Sequence, residues 1–128
     1  NVRKDIPGGF PGDKANKFTR KGRTAAENAM FDWTARLLHW RKGNDVIVHG
    51  KQIQFIPWHG LYVVTRQYNG RTVMTVINGR NTSGKLEVKR YAEIIGNNTT
   101  AHDVCTGESV SLSADVPLKA RQTMVLEF

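Results

Sequence analysis

The chain has 128 residues, which is the size of one domain and enough to bury a hydrophobic core. Its composition is that of a globular protein, with 39% hydrophobic residues and no apolar run near the roughly 18 residues that a membrane span needs. The net charge of +8 lies mostly in residues 1–42 and forms no basic stripe with interleaved aromatic residues, so we expect no nucleic-acid partner.

Residues 1–22 are predicted to form a loop. The run from Ile6 to Asp13 holds two prolines and three glycines, which neither a helix nor a central strand tolerates. Ile6 and Phe10 indicate that this loop lies against another surface. The sequence begins at Asn1 and not at a methionine, and we expect it to be a piece cut from a longer protein.

Residues 24–42 are predicted to form a long helix. Thr24 and Glu27 have the spacing of a capping box, and Gly43 is placed for a left-handed cap at the other end. The apolar side chains cover about half of the helix circumference: Met30, Phe31, Trp33, Thr34, Leu37, Leu38 and Trp40. Because a surface helix needs a stripe of only about 100°, we expect a second partner on this face. That partner is either a missing domain or a second copy in a dimer or helix swap through Met30, Trp33, Leu37 and Trp40.

Residues 45–128 are predicted to be antiparallel β structure. Asn69 and Gly70 form the strongest two-residue hairpin signal, flanked by strands at 61–68 and 71–78. This turn pairs Tyr68 with Arg71 and sets the register of the whole hairpin. Apolar residues on both faces indicate a central hairpin that is covered on both sides for part of its length.

The remaining strands are short and separated by turns. They are predicted at 46–48, 52–56, 86–88, 104–105, 110–112, 116–118 and 124–128, with 91–95 either a helical turn or a strand. About eight strands at this spacing favour an antiparallel β-sandwich of Greek-key type. The fold class is therefore mainly β, preceded by a loop and one long helix.

Catalytic and metal-binding patterns are not found in the sequence. The four histidines are scattered and the single cysteine, Cys105, reads as a small buried residue, so no metal or cofactor is expected. The acidic residues fall mostly at predicted caps and turns, which favours structural use over acid–base catalysis. Trp58, in the Pro-Trp-His-Gly turn, is the aromatic residue best placed to stack on a sugar ring.

Residues 2–13 read Val-Arg-Lys-Asp-Ile-Pro-Gly-Gly-Phe-Pro-Gly-Asp, which resembles the segment after the eighth barrel strand of α-amylase-family glycoside hydrolases. The resemblance is to the neopullulanase and cyclomaltodextrinase-like branch, with Ile6 in place of a phenylalanine. It continues through Gly-Arg-Thr-Ala-Ala-Glu-Asn at 22–28 and Leu-Leu-His-Trp-Arg-Lys at 37–42, and through weaker landmarks to Glu127.

This resemblance implies that residues 1–43 are the loop and last helix of a missing (β/α)8 barrel. Residues 44–128 would then be the C-terminal β-sandwich domain. The parent would hydrolyse α-glucosidic bonds with retention, using carboxylates that lie upstream of Asn1, so no residue here inherits a catalytic role. Arg3, Asp5 and Phe10 would lie near the rim of the substrate site.

The sequence thus predicts a non-catalytic structural domain that stabilises the catalytic barrel of an α-glucan hydrolase. The alternative is a module that binds starch or maltooligosaccharides through Trp58. A basic nucleic-acid-binding domain is less favoured than either. The compartment stays undetermined, with the bacterial periplasm and cytoplasm both open for the parent.

Overall fold

A computed structural model describes residues 5–128. It divides the chain into two compact units, Asn1–His39 and Trp40–Phe128, which are described separately. The predicted domain boundary between residues 43 and 44 stays a prediction. None of the helices that residues 5–128 form combines the length and the apolar character that crossing a membrane would need.

Helix α1, Ala25–Lys42, begins at the predicted capping box. The backbone N–H of Thr24 donates to the Glu27 carboxylate at 2.7 Å, and the N–H of Glu27 donates to the Thr24 hydroxyl at 3.2 Å. Each side chain therefore satisfies a backbone donor that the first helical turn leaves free. The left-handed cap predicted at Gly43 is wrong, because Gly43 does not have a positive φ.

A short second helix follows, where the sequence predicted a strand. Residues Asp45–His49 form α2, although the Val-Ile-Val run at 46–48 has high strand propensity. The reason is Asn44, whose side-chain oxygen accepts hydrogen bonds from the backbone N–H groups of Val46 and Ile47. This N-cap satisfies two backbone donors that a strand would have left to a neighbour, and it overrides the local propensity.

The main sheet of the second unit has six antiparallel strands: β1 Lys51–Gln54, β2 Leu61–Tyr68, β3 Arg71–Asn78, β5 Thr100–Asp103, β6 Ser109–Ser111 and β8 Thr123–Glu127. Their order across the sheet is β1-β2-β3-β8-β5-β6. The last strand, β8, returns to lie between β3 and β5. A two-stranded sheet of β4 Gly84–Leu86 and β7 Val116–Leu118 completes the structure, and the predicted antiparallel sandwich is confirmed.

The β2–β3 hairpin has the predicted register. Tyr68 pairs with Arg71, and the pairing continues to Leu61 with Asn78. Asn69 and Gly70 have φ values of 48° and 74°, the left-handed conformation that a type I′ turn requires at both central positions.

The core lies on one face of the main sheet and under the small sheet. Its members are buried apolar side chains from most strands and from the helical segment Val88–Tyr91 and α3 Ala92–Ile95: Leu61, Val63, Met74, Val76, Leu86, Tyr91, Ile95, Ala101, Leu112, Val116, Leu118, Met124 and Leu126. Tyr91 packs edge-on against Phe55, with ring centroids 4.9 Å apart. The segment predicted as a helical turn or strand at 91–95 is therefore helical.

The strand predicted at Val104 and Cys105 is wrong, because these residues lie in a turn after β5. The buried Asp103 carboxylate causes the turn, since its Oδ1 accepts the backbone N–H of Cys105 at 3.0 Å. Asp side chains that bond the backbone two residues later are typical of turns. The prediction that Cys105 is buried is confirmed.

Candidate functional site

The Pro-Gly loop of the first unit closes around its own carboxylate. Oδ2 of Asp13 accepts hydrogen bonds from the backbone N–H groups of Gly8, Gly9 and Phe10, at 2.8, 3.1 and 3.1 Å. Successive N–H groups that converge in this way form an anion-binding nest, which Asp13 fills here. Gly9 adopts φ +83°, a conformation that favours glycine. The loop motif therefore has a structural role within the loop itself.

The predicted substrate-rim residues are at the surface where they are described. Asp5 is exposed and Phe10 is 69% exposed, while Arg3 lies outside the described residues. The ring of Phe10 lies beside Gly8, where an added Cβ would meet it at 2.6 Å, and the 68% exposed Phe18 ring flanks the same glycine. The two aromatic rings form an exposed apolar surface on this loop, and contact with a substrate stays a prediction.

Ion pairs connect the loop to helix α1. Nζ of Lys17 lies 2.6 Å from the Glu27 carboxylate, and Arg20 lies 2.9 Å from the Asp32 carboxylate. The hydrogen bond from Lys17 lowers the pKa of Glu27, and the Thr24 N–H lowers it further. Part of the positive charge that the sequence concentrates here is thus neutralised locally.

Much of the apolar side of α1 is open to solvent. Every residue of α1 is described and none is buried. The exposed fractions are 65% for Met30, 52% for Phe31, 57% for Leu38 and 37% for Trp33. A patch with this many large apolar side chains in one helix is typical of an interaction surface. We call these four residues the α1 apolar face.

Three side chains meet where α1 ends in the second unit. Oε1 of Glu127, on β8, accepts a hydrogen bond from Nε1 of Trp40 at 2.9 Å and one from Nδ2 of Asn44 at 2.8 Å. Asn44 also caps α2, so one carboxylate connects the ends of both helices to the sheet. We call this arrangement the Glu127 clasp. Trp40 is half-buried and engaged in it, unlike Trp33, which the predicted dimer surface also included.

Trp58 lies in a tight turn and has polar neighbours. Its backbone exchanges two hydrogen bonds with Leu61, and His59 and Gly60 between them have positive φ. The His59 ring stacks on the indole at 4.5 Å, and the Arg90 guanidinium lies 4.6 Å from the ring centroid. These groups occupy part of the surface that a sugar ring would use. The indole is 43% exposed, and its contact with sugar stays a prediction.

Several of the described carboxyl groups bind backbone N–H groups or lysine side chains and so stabilise local structure. Asp13 and Asp103 accept backbone N–H groups, as expected for acids at turns. The hydrogen bond from Lys85 lowers the pKa of Asp115, a shift opposite to the one that a glycosidase general acid needs. Within residues 5–128 no group of three or more His, Cys, Asp and Glu is arranged to hold a metal ion.

Comparison with known proteins places these features in context. The model of the family described as the cyclo-malto-dextrinase C-terminal domain matches residues 52–127. The fold is similar to part of AmyP in complex with maltose (13% identity, TM-score 0.66), a match that covers 81% of this chain and 21% of AmyP. An Anoxybacillus α-amylase gives 16% identity and a TM-score of 0.62, with 75% of this chain and 21% of the other covered.

The trehalulose synthase MutB from Pseudomonas mesoacidophila MX-45 has a similar fold too, at 14% identity and a TM-score of 0.55. That match covers 72% of this chain and 16% of MutB. At these identities the likeness concerns the fold alone. The chain spans about a fifth of the length of AmyP and of the Anoxybacillus α-amylase.

The match to AmyP extends beyond the sandwich. It covers 81% of 128 residues, which is about 104, whereas the unit Trp40–Phe128 contains 89. Part of the first unit therefore has a structural counterpart in AmyP. AmyP thus contains structure similar to the sandwich and to at least some of the segment that precedes it here.

Proposed function

Because the chain belongs to the cyclo-malto-dextrinase C-terminal domain family, we propose that it is the non-catalytic C-terminal part of an α-glucan hydrolase. In this proposal residues 1–43 are the loop and last helix of the catalytic barrel, and residues 44–128 are the sandwich that stabilises it. AmyP is described in complex with maltose, and an α-glucan is the substrate class that we propose for the parent.

The observation that carries this proposal is the α1 apolar face. Phe31 and Leu38 are each more than half exposed. Fully burying a large apolar side chain is more favourable than leaving it in water by roughly 1.5–3 kcal/mol, so a covering partner would stabilise this face. A barrel wall is an apolar surface of the required kind, and the last helix of a (β/α)8 barrel packs against one. The exposed Phe10 and Phe18 rings in the loop before α1 support the same partner.

The Glu127 clasp supports a mechanical role for the sandwich. Through Trp40 and Asn44 it attaches the last turn of α1 to strand β8. If α1 is the last barrel helix, the sandwich holds the end of that helix in place. The chain would then contribute stability to the barrel without contributing a catalytic group.

We expect the isolated chain to hydrolyse no α-glucan, because the carboxylates that the reaction needs lie upstream in this proposal. The measurement is the release of reducing ends from maltoheptaose, β-cyclodextrin and pullulan, with an α-amylase as positive control and buffer as blank. The chain should match the blank at every concentration. Release that grows in proportion to the chain and is abolished by changing one of its own carboxylates would contradict the proposal.

A further inference from the structure

The tripeptide Asn-Gly-Arg occurs twice in the chain, at residues 69–71 and 78–80. Asparagine is a thermolabile residue, and a following glycine leaves its backbone nitrogen unhindered, so that this nitrogen can attack the asparagine side chain. Because the two tripeptides are identical, their intrinsic reactivity is closely matched. The fold then decides which of them reacts.

In the second tripeptide, both reacting groups, the Asn78 side chain and the Gly79 backbone nitrogen, are held by hydrogen bonds. Asn78 is 1% exposed, and its Nδ2 donates hydrogen bonds to the carbonyl oxygens of Thr82 and Lys119, both at 2.9 Å. The attacking group is engaged as well, because the Gly79 N–H donates to the Gly60 carbonyl at 3.0 Å. Attack of Gly79 on the Asn78 side chain would require these buried hydrogen bonds to break first.

In the first tripeptide, both reacting groups, the Asn69 side chain and the Gly70 backbone nitrogen, are exposed at a turn. Asn69 and Gly70 form the exposed tip of the β2–β3 hairpin. Within residues 5–128, neither the Asn69 side chain nor the Gly70 N–H has a hydrogen-bond partner. An added Cβ at Gly70 would meet no heavy atom within 4 Å, so the space beside the Gly70 backbone is open.

We propose that Asn69, and not Asn78, is a site of spontaneous deamidation in the folded protein. The Gly70 nitrogen bonds to Cγ of Asn69, and the Cγ–Nδ2 bond breaks. Nδ2 leaves as ammonia and carries away the proton released by the Gly70 nitrogen. Water then opens the cyclic imide at either of its carbonyl carbons, which leaves aspartate or isoaspartate at position 69.

Either product changes the hairpin tip. The net charge of the chain falls by one, because a neutral amide becomes a carboxylate. Isoaspartate also adds one carbon to the backbone of a turn whose two residues must match the Tyr68–Arg71 pair. The expected consequence is fraying at the tip of the central hairpin.

The test is incubation of the 128-residue chain at mildly alkaline pH, with and without denaturant, followed by trypsin digestion and mass spectrometry. Cleavage after Arg66, Arg71 and Arg80 places the two asparagines in separate peptides, 67–71 and 72–80. In the folded chain we expect Asn69 to convert at least about tenfold faster than Asn78, the factor that about 1.4 kcal/mol of opening free energy gives.

In denaturant the two asparagines should convert at similar rates, which supplies the internal control. The variant Asn69→Gly keeps a residue suited to the left-handed position, and it should remove the acidic species that isoelectric focusing detects in the aged chain. Equal conversion of the two sites in the folded chain, or faster conversion at Asn78, would overturn the proposal.

Discussion

Replacing Asp103 with alanine is expected to destabilise the second unit by about 2–6 kcal/mol. Asp103 is 1% exposed, and its Oδ1 accepts the backbone N–H groups of Cys105 and Val125, each at 3.0 Å. Without the carboxylate, two buried N–H groups lose their partner, and each costs about 1–3 kcal/mol. Urea unfolding of the wild-type and variant chains measures the difference.

Two further variants separate the hydrogen bonds from the charge. Asp103→Asn keeps a side-chain oxygen that accepts from both N–H groups, and its amide nitrogen can donate to the Thr106 hydroxyl. We therefore expect a smaller loss of unfolding free energy than for Asp103→Ala. Asp115→Ala removes a carboxylate that pairs with Lys85 at the surface, and the loss should be smaller still. Equal losses for Asp103→Ala and Asp115→Ala would show that the buried turn is not the stabilising element described.

Removing the Glu127 clasp is expected to give the second large effect. Glu127→Ala leaves Nε1 of Trp40 and Nδ2 of Asn44 without their common acceptor. Because both donors are only partly buried, we expect a loss of about 1–3 kcal/mol, less than for Asp103. The Trp40 emission should also shift to longer wavelength in the folded state, since the indole loses its fixed position against the sheet.

The fluorescence is measured in a chain with Trp33→Phe and Trp58→Phe, so that Trp40 is the remaining tryptophan. Glu127→Gln keeps an oxygen acceptor and should preserve most of the stability and the emission maximum. Glu93→Ala, at an exposed position on α3, is the matched control and should change neither. An unchanged stability and emission in Glu127→Ala would remove the basis for a mechanical connection between α1 and β8.

Features governed by short-range rules could be predicted from the sequence. The Asn69–Gly70 turn permits one strand register, and the observed pairing from Tyr68–Arg71 onward follows from it. The capping box at Thr24 and Glu27 is likewise a local pattern. The width of the apolar side of α1 predicted that part of it would need a further partner, and within residues 5–128 the four residues of the α1 apolar face remain exposed.

Features that depend on side chains from distant segments could not be predicted. Glu127 looks like an ordinary polar position at the end of a strand, yet its partners lie 83 and 87 residues earlier in the chain. Two wrong strand predictions, at 46–48 and 104–105, could have been avoided from the local sequence. Asn44 before an apolar run is an N-cap pattern that would have corrected the strand predicted at 46–48. Asp103 before Cys105 is a turn pattern in the same sense.

The central claim is that this chain is one part of a longer α-glucan hydrolase, and the size of the natural polypeptide tests it most directly. The chain has a mass of 14.4 kDa, and the 81% of it that matches AmyP covers 21% of AmyP. A parent of similar proportions therefore has about 56 kDa, which is enough chain for several domains. An antiserum against the purified chain should detect one species near that mass in cells that make the protein. Sequencing of that species should show a (β/α)8 barrel with catalytic carboxylates before the residue numbered Asn1 here. A single species of 14.4 kDa, with no larger form, would contradict the account.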